Sequence, residues 1–165
     1  MSKRKTTLEY IVQEPLATYG AQSEPYGQLI TILGGPKTIK SKVNNEIDLI
    51  NLARKGLPKK TLISLSKKLN ISMEHLSKLL NISIRTLQRK KATDHLSIHV
   101  SEQILAIAEV VIRGTDVLGS EQALETWLHT ELASLSYQKP IDIMDTTFGT
   151  QLLLRILGRI EHGVY

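Results

Sequence analysis

The stretch Met73–Lys91, MEHLSKLLNISIRTLQRKK, leaves this chain few ways to fold. Met73, Leu76 and Leu80 recur at the spacing of one apolar helix face. Asn81 and Ile82 break that period. Ser83 is then placed to cap a second helix, its hydroxyl accepting a backbone N–H that the first turn leaves unpaired. In the second helix Ile84 and Leu87 point one way, and Arg85, Thr86, Gln88, Arg89 and Lys90 leave the other face open. Two short helices about a tight turn, the second rich in Arg, Gln and Thr, form a helix-turn-helix whose side chains suit base edges and phosphates. The competing reading is an ordinary helical domain with a solvated basic face.

Charge distribution favours nucleic acid. Residues 54–91 carry eleven basic side chains against Glu74 alone, a block of +10. Residues 97–165 carry four basic and nine acidic ones, a block of −5. A basic block attracts phosphate through counterion release and steering, and an acidic block suits a cationic protein surface. The asymmetry therefore implies two partners of opposite charge preference.

The rest of the chain reads as helices and breakers, so the fold class is all-α. Residues 1–28, with Pro15, Gly20, Pro25 and Gly27, predict a flexible start with at most a short helix. Leu29–Leu33 is apolar and stops at Gly34-Gly35-Pro36. Asn45 caps a helix that Gly56 ends, and Pro58 suits the first position of the next. LSKKLNIS at 65–72 and LSKLLNIS at 76–83 read as two successive signals in which Asn ends a helix and Ser starts another. The longest pattern runs from Ser97 to Leu118, with Val100, Ile104, Ile107, Ala108 and Val111 in one stripe. Ser120 caps the next helix, whose face is Leu124, Trp127 and Leu128. After a loop and a short turn at Pro140, Asp145 or Thr146 caps a final helix whose apolar face is Phe148, Leu152, Ile156 and Ile160.

Several function classes drop out. The chain has no cysteine, which excludes disulfides and thiolate metal sites. His75, His95, His99, His129 and His162 show no supported metal spacing, and no metal or cofactor is expected. Gly34-Gly35-Pro36-Lys37 lacks the spacing of a phosphate loop. No catalytic constellation is present, so the chain does not read as an enzyme. No apolar run approaches the roughly 20 residues that span a bilayer. The basic start MSKRKTT is followed by no signal-type apolar region, and a cytoplasmic protein is expected.

With both halves laid out, the chain resembles antitoxins of the Xre–MbcA–ParS type, partners of RES-domain toxins. The likeness lies in GLPKKTLISLSKKLNIS with LSKLLNISIRTLQRKK, and again in VLGSEQALETWLHTE with KPIDIMDTTFGTQLLLRILGRIEHGVY. The ending Leu157–Tyr165, LGRIEHGVY, closely matches the end of that family's toxin-binding domain. One departure is LASLSYQ before Lys139, where the family often carries a loop such as NPALGG. The resemblance implies a toxin that consumes NAD, and an antitoxin that covers its active-site entrance and represses their shared operon. Two rivals are a stand-alone helix-turn-helix regulator and a protein-binding module whose helix-turn-helix is vestigial.

These readings divide the chain into an N-terminal segment (1–44), a helix-turn-helix DNA-binding region (45–96) and a helical toxin-binding domain (97–165). Ser83, Arg85, Thr86, Gln88, Arg89, Lys90 and Lys91 are expected to contact operator DNA, with Arg85 and Gln88 on base edges. Arg159, Ile160, Glu161, His162, Gly163, Val164 and Tyr165, with the face of the final helix, are expected to dock on the toxin, with Glu161 and the terminal carboxylate supplying negative charge. A homodimer is expected, because one recognition helix reads only a few base pairs. Leu29–Leu33 and the Ser97–Leu118 helix are the candidate dimer surfaces.

Overall fold

The computed structural model describes residues 24–164. Among these residues there are eight α-helices and no strand: α1 Glu24–Ile32, α2 Glu46–Lys55, α3 Thr61–Leu69, α4 Met73–Leu79, α5 Ile84–Arg89, α6 Ile98–Leu118, α7 Glu121–His129 and α8 Thr147–Glu161. The all-α expectation holds. Two 3₁₀ turns, Ala133–Leu135 and Pro140–Ile143, lie between α7 and α8. Most of the segment expected to be weakly patterned, residues 1–28, lies outside the described residues, but α1 opens at Glu24, ahead of the apolar Leu29–Leu33 run.

Local chemistry sets the helix ends. Side chains of Asn45, Ser72, Ser83, Ser97, Ser120 and Thr146 each accept a backbone N–H of the first turn. The paired LSKKLNIS and LSKLLNIS segments end their helices identically. Asn70 and Asn81 both sit at φ 50°, the left-handed conformation that asparagine tolerates better than most residues. Asn70 and Asn81 donate their N–H groups to Lys67 and Lys78 carbonyls, and Ile71 and Ile82 donate theirs to Ser66 and Ser77. Pro58 does not open α3. It lies in the preceding turn, bridged to His95, and its carbonyl accepts from the N–H and hydroxyl of Thr61. Pro58 thus leads the chain into α3 without being its first residue.

The core is built around α6. Val100, Ile104, Leu105, Ile107, Ala108, Val110 and Val111 are all buried, on more than one side of that helix. The helix is in contact with α1, α2, α3, α7 and α8. A helix apolar nearly all round must be enclosed. Ser101, fully buried, earns its place by two hydrogen bonds: its hydroxyl accepts from Leu57 N–H (2.9 Å) and donates to the Ser97 carbonyl (2.9 Å). Both candidate dimer surfaces are consumed in this core. Leu29 and Leu33 are buried, and so is most of the apolar stripe of α6.

In α8 the inward residues are Gly149, Thr150, Leu153, Ile156 and Leu157. The expected face was rotated by about one residue: Phe148 is 83% exposed. The cause is Gly149. A Cβ there would stand 1.6 Å from the Ile143 carbonyl oxygen, so only glycine lets the 3₁₀ turn press against the start of α8. Gly149→Ala should therefore destabilise the protein by at least the 1–3 kcal/mol typical of overpacking. Urea unfolding checks this, and an unchanged midpoint would refute the close approach.

Candidate nucleic-acid interface and partner-facing helix

The second helix of the motif is short and firmly seated. Ser83 caps α5, accepting the Thr86 N–H at 3.1 Å, and the Ser83 and Thr86 hydroxyls are hydrogen-bonded at 2.7 Å. Leu87 is 1% exposed and fastens α5 to the core, with Ile84 half-buried beside it. Arg85, Thr86, Gln88 and Arg89 are exposed, as the sequence predicted, and so are Ser83 and Lys91. Lys90 is half-buried, and its ammonium donates to the His95 carbonyl at 3.0 Å. Lys59 in turn donates to the Lys90 carbonyl at 2.6 Å. Lys91 N–H donates to the Asp94 carboxylate at 2.8 Å. The chain leaving α5 is thus laced back onto the start of α3, which fixes the angle at which the helix is presented.

At the other end, α8 closes with Gly163 at φ 65°, its N–H bonded to the Ile160 carbonyl and that of Val164 to the Arg159 carbonyl. Arg159, Glu161, His162, Gly163 and Val164 are exposed, and Ile160 is half-buried against the core. Tyr165 lies outside the described residues. Glu161 is not a free carboxylate: Arg113 of α6 pairs with it, and His162 Nε2 stands 3.8 Å away. The outward face of α8 instead carries Phe148, the half-buried Leu152, and the exposed Arg155 and Arg159. This surface is aromatic and cationic rather than anionic. The apolar spacing places Phe148 on one face with Ile156, and the adjacent glycine explains why the helix is turned so that the ring stands outside.

The acidic C-terminal half turns part of its charge inward, onto the basic half. Lys68 pairs with Glu121, and Asn70 donates to the Glu125 carboxylate at 2.6 Å. His75 Nε2 lies 3.5 Å from Asp142, and His129 Nε2 lies 3.1 Å from the Leu69 carbonyl. Asn81, in the turn of the helix-turn-helix, donates to the Asp145 carbonyl at 3.0 Å, one residue before the α8 cap.

A family model described as the antitoxin Xre-like helix-turn-helix domain matches residues 48–109. A second, described as the antitoxin Xre/MbcA/ParS C-terminal toxin-binding domain, matches residues 113–163. The chain belongs to the Xre/MbcA/ParS antitoxin family. It is similar to a protein named Prs ADP-ribosylating antitoxin from a Sphingobium species, with 27% identity over 129 residues, 72% of this chain and 81% of the relative. It is also similar to Antitoxin Xre of Yersinia enterocolitica, with 28% identity over 86 residues, 51% of this chain and 58% of the relative. The helix-turn-helix therefore precedes a toxin-binding domain, in a family of antitoxins rather than enzymes. Within the described residues no helix is long and apolar enough to cross a membrane.

The antitoxin's departure from the NPALGG loop has a structural reading. Its residues Ser136 and Tyr137 follow the buried Leu135. Both stand in the left-handed region, at φ 53° and 63°. The loop keeps a glycine-type shape closed by Leu132–Gln138 hydrogen bonding, at the expense of backbone strain. Ser136→Gly should raise stability by about 1 kcal/mol. A thermal melt that falls instead would show that the left-handed conformation is not the strained element.

Proposed function

We propose that this antitoxin binds and blocks a RES-domain toxin that consumes NAD, and represses their shared operon by binding operator DNA as a homodimer in the cytoplasm. The observation that carries this reading is the exposed Arg85–Arg89 face of α5, held by buried Leu87, in the same chain as a match to a toxin-binding domain. The name of the Sphingobium relative refers to ADP-ribosylation, chemistry that draws on NAD, which supports an NAD-linked toxin partner. The match over residues 113–163 weighs against a stand-alone regulator.

In this reading Arg85 and Gln88 read bases. Arg89 and Lys91 hold phosphates, which position the protein without specifying sequence. Ser83 and Lys90 serve chiefly to orient α5. The homodimer presents two such helices about 34 Å apart to a palindromic site. Arg85→Ala should cost about 1–3 kcal/mol at the operator and relax specificity at one position. A gel shift unaltered by Arg85→Ala with Arg89→Ala would remove α5 from the DNA interface.

Toxin contact is assigned to Arg159–Tyr165 together with the outer face of α8. Because Ile160 also packs on the core, deleting from Ile160 onward confuses docking with folding. Phe148 offers a cleaner test, since it is 83% exposed and its loss leaves no cavity. Phe148→Ala should retain the melting temperature and operator binding, and weaken capture of the toxin encoded next door by about 30-fold, as for an aromatic hot spot of about 2 kcal/mol. Undiminished capture by Phe148→Ala would take that face out of the interface.

A further inference from the structure

Beside the start of α3 lies a cavity of about 200 Å³ that none of the expected DNA contacts enters. Its polar lining includes Lys40, Lys55, Lys60, Ser41, Thr93 and His95, over a floor that includes Ile39 and Leu52. No carboxylate is among its lining residues. Three ammonium groups and three hydroxyl side chains, those of Thr38, Ser41 and Thr93, stand around an uncharged floor. The set suits an anion with several acceptor oxygens, and its positive charge without a carboxylate disfavours a cation.

Two features that might repel an anion are neutralised. The C-terminus of α2, with its partial negative charge, faces this region. His95 covers it: Nδ1 lies 3.0 Å from the Lys55 carbonyl and 2.7 Å from that of Gly56, so Nδ1 carries the proton and donates. The nearby carboxylate of Asp94 is turned to the Lys91 N–H. Lys60 is held at the rim by donation to the Lys37 carbonyl at 2.8 Å, and its remaining N–H groups are available.

The cavity also rides on the same rigid piece as the recognition helix. Lys59 and Lys60 donate their backbone N–H groups to the Asp94 and Ala92 carbonyls, and Lys90 reaches the His95 carbonyl. Thr93 and His95, on the cavity wall, therefore keep a fixed distance from Arg85 and Arg89. An anion seated here is held in register with whatever α5 reads.

We propose that this cavity is a phosphate clamp that seats a backbone phosphate of the DNA flanking the groove entered by α5. The clamp rests on the DNA-binding reading of α5. It adds affinity without specificity, and it fixes how the duplex lies across the motif.

The test uses the full-length antitoxin and the double variant Lys40→Gln/Lys55→Gln. Both lysines are exposed, and neither is the hydrogen-bonded Lys60. Binding is followed by fluorescence anisotropy on the duplex upstream of the gene and on a scrambled duplex, across a salt series. The expected result is a plot of log affinity against log salt that is shallower by about 1, since each phosphate contact contributes about 0.9. Affinity for the two duplexes should fall by the same factor, about tenfold or more at low salt. An unchanged slope while Arg85→Ala still weakens binding overturns the clamp and leaves the α5 reading standing. Wild-type protein that binds neither duplex overturns both. Inorganic phosphate is titrated in parallel by amide NMR at Ser41 and Thr93. Saturable shifts there, combined with an unchanged salt slope, assign the cavity to a free anion and overturn the DNA assignment.

Discussion

Enclosure of α6 is the constraint on which the rest of the structure depends. Twenty-one residues of helix, apolar on more than one side, cannot meet water without a large hydrophobic cost. Helices from both halves of the chain are recruited to cover it: α1, α2 and α3 from one side of the sequence, α7 and α8 from the other. The polar atoms this burial traps are satisfied. Ser101 receives the Leu57 N–H, and Gln103 donates to the Met144 carbonyl. Among the described residues no buried side-chain N or O atom lacks a hydrogen-bond partner. The helices α5 and α8 are thus placed by one core.

What sequence reveals here is what local chemistry decides. Ser83, Ser97 and Ser120 announce their helices because a cap involves only the next three residues. Asn70 and Asn81 announce the ends because αL tolerance is a property of the residue itself. The basic face of α5 was legible for the same reason: six residues hold Leu87 in and Arg85 and Arg89 out.

What sequence conceals is settled by groups far apart in the chain. Phe148 reads as core until the Ile143 carbonyl is seen to require a bare Cα at 149, which turns α8 and leaves the ring outside. Glu161 reads as free charge until Arg113, on another helix, is brought to it. Lys90 reads as a free side chain until the His95 carbonyl is brought within reach of its ammonium. Block charge counts have the same blindness. They show +10 and −5, but not that Glu121 is spent on Lys68 within the fold.

The hydrogen bond from Asn81 to the Asp145 carbonyl joins the turn of the reading head to the residue that precedes the α8 cap. The turn that leads into α5 and the approach to α8 therefore share one hydrogen bond. Under the proposed function, a toxin that displaced Asp145 would also disturb the turn that carries α5. Linkage would make such a coupling reciprocal: the factor by which a protein partner changed affinity for DNA would equal the factor by which DNA changed affinity for that partner.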